Sequence, residues 1–261
     1  MSSKTKNKPL VSVHICNYNR ANKISKAIDS VLDQNYQNLQ ILIMDDASDD
    51  NTSEIIEPYL QKDSRVEYYK NTTNLGISKN RNKALSLSKG KYVAVLDSDD
   101  YWINNDKLNL QVDFLENNSN HGVVGTYTKF VDNHEKELFI FKPNLIDSAI
   151  RKNILMKNQF VHSSVLFRKN ILNTYNEQEI FKAKEDYVAW LEIGKKHKLA
   201  NLPIITTLYL QHESNSSKEN LVTYIKNLGI IIKNYKNDYP NYLKASLKNQ
   251  IRLVKAILGF K

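Results

Sequence analysis

One stretch constrains this chain more than any other. Tyr92-Val93-Ala94-Val95-Leu96 is continuously apolar, and it then breaks into Asp97-Ser98-Asp99-Asp100. Such a run reads as a buried strand, and this strand delivers three carboxylates to one edge of a sheet. Clustered negative charge resists ionisation unless a cation compensates it, and an oxygen-rich cluster suits a divalent ion. The pattern points to a cation site and to metal-assisted phosphate chemistry. The plainer alternative is an acidic turn or helix cap, which leaves the uncompensated charge at the end of a buried strand unexplained.

The flanking pattern supplies a fold for that strand. Leu10–Ile15 and Gln40–Met44 are apolar runs of strand length, the second ending in Asp45-Asp46, and Val66–Tyr69 is a third. Between them Ile24, Ala27, Ile28, Val31 and Leu32 recur at helical spacing, as do the residues of Ile77–Ser88. Ser48–Thr52 is rich in helix-capping residues and opens a short helix that Pro58 is expected to stop. Strand and helix therefore alternate up to Leu96. This order predicts an α/β fold with a mainly parallel sheet, helices on both faces, and a ligand site at the carboxyl ends of the strands. Asp45-Asp46 and Asp97–Asp100 both fall at such ends. The second half alternates less regularly: a helix over Leu108–Leu115, a strand pair at Val123–Phe130 and Glu137–Phe141, a strand at Val161–Phe167, a helix at Tyr187–Lys195 and a strand at Pro203–Leu210.

Other chemistries are disfavoured. With a single cysteine, Cys16, no internal disulfide framework can form, and no CxxC or Cys/His cluster suggests zinc. Neither GxGxxG nor GxxxxGK[ST] occurs, so a dinucleotide fold and a P-loop are disfavoured. The polar, basic first nine residues are no signal peptide, and no apolar run approaches the ~20 residues of a membrane span. A cytoplasmic protein, free or peripheral on the cytoplasmic face of a membrane, is expected. The net charge of +9 is concentrated: residues 218–261 carry +7, and the preceding 217 residues only +2. No reader motif accompanies that charge, so nucleic acid is not an expected partner.

Several residues are placed to act together. In an extended chain Asp97 and Asp99 would face the same side. Tyr18 follows the first strand and Asp46 ends the second, so both should open onto one crevice; a surface tyrosine and a capping aspartate are the plainer readings. Glu185-Asp186 precedes the helical face of Val188 and Leu191, where an acidic pair also suits the helix dipole. Trp102 is either an apolar platform for a ligand ring or a core residue.

Six pieces in order resemble the GT-A fold and the large family 2 of inverting glycosyltransferases, over roughly Leu10 to Ser217. They are Val11–Arg20, Asp45–Asp50, Asn74-Leu75-Gly76 with Arg81-Asn82, Asp97–Asp100, Glu185-Asp186 and Tyr209–His212. The resemblance implies a metal-dependent transferase that moves a sugar from a nucleotide sugar, a UDP-sugar by preference, to a glycan hydroxyl. The setting would be bacterial surface polysaccharide or lipid-linked glycan assembly. It implies that Asp99 ligates Mn²⁺ or Mg²⁺ bridging the diphosphate, and that His212 reaches the metal or diphosphate. Asp97 would lie near the ribose or the metal. Tyr18 would stack on the nucleobase and Asp46 would bond its edge, with Arg81 nearby. It makes Asp186 the general base and brings Glu185 and His162, in His162-Ser163-Ser164, near donor or acceptor; a ring on the Trp102 platform would be that of a sugar. Cys16-Asn17 departs from the family's frequent Pro-Thr or Thr-Ser. The QxxRW motif of processive synthases is absent, which implies addition of one sugar or few. A catalytically silent nucleotide-sugar-binding protein and a sugar-phosphate nucleotidyltransferase are the competing readings. The first would forgo the metal acid and base, and the second lacks its Gly-rich basic loop.

Residues 1–217 are thus expected to form the transferase domain and 218–261 a basic helical extension. In the extension Leu247, Ile251, Val254 and Leu258 share one helical face, with Lys248, Arg252 and Lys255 around it. This pattern suits either an anionic membrane surface or packing on the chain's own domain or a second subunit.

Overall fold

A computed structural model describes residues 8–181, 183–211 and 221–259. Its first half follows the alternation read from the sequence: β1 (Val11–Asn17), α1 (Ala21–Leu32), β2 (Leu39–Asp45), α2 (Thr52–Lys62), β3 (Val66–Lys70), α3 (Ile77–Leu87) and β4 (Tyr92–Asp97). A short β5 (Tyr101–Trp102), α4 (Lys107–Asn117), β6 (His121–Val131), β7 (Glu137–Phe141) and α5 (Asp147–Ile154) follow. The chain ends with β8 (Leu166–Arg168), α6 (Glu185–Lys196), β9 (Lys198–Leu210), α7 (Leu221–Asn234) and α8 (Tyr242–Ile257).

The strands form one sheet in the order β3-β2-β1-β4-β8-β6-β9-β5, with β7 on β6. β3, β2, β1 and β4 run parallel. β8 then enters antiparallel between β4 and β6, and β6 pairs in parallel with β9. The side-chain alternation of β4 explains the layers. Tyr92, Ala94 and Leu96 join a core with Ile24, Ile28 and Val31 of α1, Ile56 of α2 and Leu108, Val112 and Leu115 of α4. Val93 and Val95 point the other way, into a core with Phe167, Ile150 and Ile154 of α5, Trp190 and Leu191 of α6 and Ile231 and Ile232 of α7. A strand buried on both faces needs apolar residues at every position, which is why this run does not alternate.

Three elements differ from expectation. Pro58 lies inside α2, which continues to Lys62. Ile55, Tyr59 and Leu60 pack on the core, and Tyr59 Oη donates to Asp29 Oδ1 at 2.8 Å, so contacts on both sides of the proline outweigh its lost N–H bond. The strand expected over Val161–Phe167 begins as a 3-10 turn at His162–Ser164 and becomes β8 only from Leu166. α5 was not expected; its amphipathic pattern is only eight residues long.

The last two helices are seated on α5 and α6. Tyr239 Oη donates to Leu191 O at 2.6 Å, Tyr235 Oη to Glu192 Oε1 at 2.6 Å, and Asn241 Nδ2 to Lys152 O at 2.9 Å. On α8, Ala245 and Asn249 face inward, whereas Leu247, Ile251, Val254 and Leu258 are all more than half exposed. The apolar stripe read from the sequence therefore faces solvent, and the smaller residues make the packing face. No described helix is long and apolar enough to cross a membrane.

Gly194 of α6 is where the hairpin comes closest: a Cβ there would run into Tyr239 Oη and meet Leu199 Cδ1 at 3.0 Å. Gly194→Ala should therefore cost about 1–3 kcal/mol by overpacking, read as a lowered urea midpoint. Tyr239→Phe, which deletes only the hydroxyl, should cost about 1 kcal/mol. An unchanged midpoint in Gly194→Ala would show that the hairpin does not seat on α6.

Candidate active site

The parallel registers Asn17↔Asp45 and Cys16↔Asp97 bring the carboxyl ends of β1, β2 and β4 to one edge. The loops beyond them enclose a cavity of about 450 Å³ lined by Tyr18, Arg20, Asp46, Gly76, Asp97, Asp99 and Tyr209 among others. Tyr18 leans over its mouth, 47% exposed. The next residue, Asn19, is left-handed (φ 51°); its N–H donates to Ser48 Oγ at 2.9 Å and its Oδ1 accepts from Asp49 N at 3.0 Å. A left-handed non-glycine residue costs about a kilocalorie, here offset by those two bonds.

Asp46 does more than face the cavity. Its carboxylate accepts from Asn71 Nδ2 at 2.9 Å, Leu75 N at 2.8 Å and Gly76 N at 2.9 Å, which folds the loop from Asn71 to Gly76 against the end of β2. Gly76 has φ +82° as α3 begins, a conformation that a side chain would strain.

The acidic segment is not extended. Asp100 N donates to Asp97 O at 3.0 Å, so a turn follows β4, and this corrects the extended-chain reason for placing Asp97 and Asp99 side by side. The turn nonetheless puts both at the cavity wall. Asp100 points elsewhere: it is buried, accepts from Leu210 N at 3.0 Å and from Ser163 Oγ, and so ties the end of β9 to β4. Burial raises the Asp97 carboxyl, with Arg81 opposing and Asp99 adding to the rise. Asp100 is pushed well up by burial and then by the charges of Asp99 and Asp97. Arg20 Nε stands 3.7 Å from Asp99 Oδ2, a long ion pair.

This repulsion among acids is the test of fit for a metal. Among the described residues no group of three His, Cys, Asp or Glu converges at ligand spacing. Asp97 and Asp99 alone suit a hard cation that takes its other ligands from a diphosphate and water, as Mg²⁺ does with one or two carboxylates. His212, expected to reach the same point, lies outside the described residues.

Arg81 is placed differently from expectation. Its side chain is buried and does not line the cavity; NH2 donates to Asp97 Oδ1 at 2.8 Å and NH1 to Glu185 Oε1. The guanidinium thus joins α3, β4 and the first residue of α6. Glu185 is buried, takes that bond on Oε1 and lines no cavity beside it. Trp102 is also buried: its Nε1 donates to Ser163 O at 2.8 Å and the Lys107 amine sits 4.1 Å from its ring centre. It is a core residue and no sugar platform. His162 is enclosed by Tyr175 and Trp190, and burial, then Arg81, drives its ring well below the usual histidine range. None of these three side chains lines either cavity.

Asp186, one residue beyond Glu185, faces a second cavity of about 870 Å³ that also reaches Phe130, Phe139, Tyr187, Lys248 and Arg252. Burial pushes its carboxyl up to about 7, the Glu185 charge adds to this, and Arg81 opposes it. The two cavities share an aromatic wall. Phe139 stacks on Phe130 at 4.5 Å, and Phe130 meets Tyr209 of the smaller cavity at 4.6 Å. Arg20 and Tyr209 line the smaller cavity and Ser163 braces its wall, and nothing in the sequence marks them beyond their place in the motifs around Tyr18, His212 and His162.

The profile of the family described as "Glycosyl transferase family 2" matches residues 12–176. An uncharacterized glycosyltransferase of Methanocaldococcus jannaschii is 33% identical over 187 residues, covering 70% of this chain; the chain spans 64% of that relative's length, less than two thirds. A protein of Escherichia coli named UDP-Glc:alpha-D-GlcNAc-diphosphoundecaprenol beta-1,3-glucosyltransferase WfaP is 33% identical over 225 residues, 85% of each chain. Among solved structures, the mannosyltransferase PcManGT of Pyrobaculum calidifontis, in complex with GDP-Man and Mn²⁺, superposes with a TM-score of 0.70. It is 17% identical, over 96% of this chain and 74% of that one, a likeness in fold. The fold is that of the GT-A glycosyltransferases.

The Arg81 bridge carries a stability prediction. Arg81→Met leaves the buried Glu185 and the partly buried Asp97 without their cation, a loss of about 3–5 kcal/mol at pH 7. The Asp97 carboxyl, raised by burial and no longer opposed by Arg81, would stand further above its unfolded value, so the penalty is largest where it must ionise and shrinks as pH falls. Urea midpoints at pH 7.5 and pH 5 should differ from wild type by less at the lower pH. A pH-independent deficit would mean that the bridge is not what the methionine removes.

Proposed function

Because the chain belongs to glycosyl transferase family 2, we propose that it moves a sugar from a nucleotide sugar, a UDP-sugar by preference, to a hydroxyl of a glycan acceptor. Inversion at the anomeric carbon and release after one addition or few complete the proposal. The observation that carries it is the junction of the cavities: Asp97 and Asp99 face one, Asp186 faces the other, and Arg81 spans between Asp97 and Glu185.

The smaller cavity takes the donor. Tyr18 offers a ring face to the base, and the loop that Asp46 organises closes around the nucleoside. Asp99, with Asp97 beside it, holds Mn²⁺ or Mg²⁺, which when bound supplies charge neutralisation for the departing diphosphate. The acceptor hydroxyl enters from the larger cavity. Asp186 accepts its proton as the oxygen forms the new bond to the anomeric carbon; the bond from that carbon to the diphosphate breaks, and its electron pair leaves with the nucleotide. A positioned carboxylate of this kind contributes roughly 10²–10⁴-fold. Holding donor and acceptor in two abutting cavities supplies the rest of the advantage through orientation. The acceptor class follows the E. coli relative, whose name specifies a sugar on a lipid diphosphate. The exposed apolar stripe of α8 supports work at a membrane surface, peripheral on its cytoplasmic face.

A screen of nucleotide sugars with Mn²⁺, read as donor hydrolysis and transfer, tests the proposal. Asp99→Asn should abolish metal-dependent turnover. Asp186→Asn should lower kcat by about 10²–10⁴-fold while UDP binds as before. Full activity in either variant sinks that assignment. Asp186 works ionised and its carboxyl stands at about 7, so kcat should fall as pH drops through 7, not near 4. The same shift means that ionised Asp186 destabilises the fold above pH 7, so Asp186→Asn should be at least as stable as wild type at pH 8.

A further inference from the structure

The rim of the larger cavity carries a group of cations that donor binding and proton transfer leave unused. Lys248, Arg252 and Lys255 stand at i, i+4 and i+7 on α8, one face over about 10 Å of helix, and Lys157 joins them across the opening from the end of α5. Among the described residues no carboxylate lies within 4.0 Å of any of the four, whereas Lys26, Lys89, Lys91, Lys129 and Lys195 each have one. The group is close enough to repel itself: burial, then Arg252, Lys157 and Lys244, lower the Lys248 amine. Cations held together without a counter-charge are the signature of a site for an anion.

The wall below them is aromatic. Phe139 stacks on Phe130 at 4.5 Å and is itself 47% exposed, and the Lys157 amine stands 4.4 Å from the centre of the Phe141 ring. One cavity is therefore lined by cations, an apolar ladder and Asp186. Resting on the transferase reading above, we propose that Lys157, Lys248, Arg252 and Lys255 bind the diphosphate of a lipid-diphosphate acceptor while Phe130, Phe139 and Phe141 hold the first carbons of its lipid. The sugar on that diphosphate then lies toward Asp186. The basic stripe of α8 reads the acceptor, and the separate stripe of Leu247, Ile251, Val254 and Leu258, turned to solvent, is left for the membrane from which the acceptor comes.

Geranyl diphosphate, a soluble lipid diphosphate, is the probe. It is titrated calorimetrically into the full-length protein held with saturating UDP and Mn²⁺, so that the donor cavity is filled. Binding should weaken roughly 10- to 100-fold in Lys248→Ala/Arg252→Ala, with each lost charged contact contributing. Phe139→Ala should weaken geranyl diphosphate while leaving inorganic diphosphate unchanged. The proposal is overturned if wild type does not bind geranyl diphosphate, or if the double variant binds it equally. It is also overturned if inorganic diphosphate binds as tightly as the lipid form. Loss of binding to phosphatidylglycerol vesicles without loss of geranyl diphosphate binding would assign the cations to the membrane and likewise overturn it. A parallel UDP titration keeps the two readings apart: failure of UDP to bind counts against the transferase, while the lipid-diphosphate titration reads the acceptor subsite in either case.

Discussion

A single buried guanidinium holds this molecule's chemistry in place. Arg81 leaves α3, passes under the carboxyl end of β4 and ends between Asp97 and Glu185. Burial works against its charge, yet the two carboxylates keep it firmly protonated. A buried ion pair of this kind adds little net stability, since desolvation of each partner costs several kcal/mol. What it provides is registry. Asp97 is the first residue of the acidic turn and Glu185 the first of α6, so one planar group sets where Asp99 and Asp186 stand relative to each other. The neighbouring charges also act on both: Asp99 helps to raise Asp97, and Glu185 helps to raise Asp186.

From that bridge the site divides by charge. The smaller cavity is acid-rich: Asp97 and Asp99 share its wall, with Arg81 bonded to the first and Arg20 standing 3.7 Å from the second. The larger cavity has the opposite rim. The two polarities stand on either side of the Phe130–Tyr209 contact, an arrangement that would discriminate between ligands by repulsion as much as by attraction.

The parts legible in the sequence are those governed by local pattern. β2 and β4 carry continuous apolar runs, Ile41–Met44 and Tyr92–Leu96, and the acids at their ends stand out against that background. Asp97 and Asp99 could be assigned to one cavity although the turn between them was not visible, because chain connectivity alone keeps them within reach of it. What could not be read was direction. Trp102 and His162 have the composition of ligand contacts and are core residues; their partners, Ser163 O and the ring of Trp190, lie 61 and 28 positions along the chain. Arg81 beside a nucleotide motif suggests a phosphate contact, and only the distant Glu185 reveals that it faces inward. Pro58 misled for a related reason: the contacts of Tyr59 that carry α2 past it come from α1, 30 positions away.

The C-terminal segment shows how far charge counting can go. The excess of +7 was plain in the sequence, as was a helical apolar stripe. A membrane surface and packing on the domain were weighed as alternative uses of one face, yet α8 has three. Ala245 and Asn249 pack on the body, the apolar stripe is exposed, and Lys248, Arg252 and Lys255 look into the cavity of Asp186. Small residues on the packing face let the helix lie close, so its long cations can bend around the edge to the cavity instead of being buried beneath it. A helix that packed through Leu247 and Ile251 would have turned those cations away from Asp186. The exposure of apolar side chains, costly in an ordinary terminal helix, is thus the geometric consequence of setting the exposed charges along the edge of that cavity.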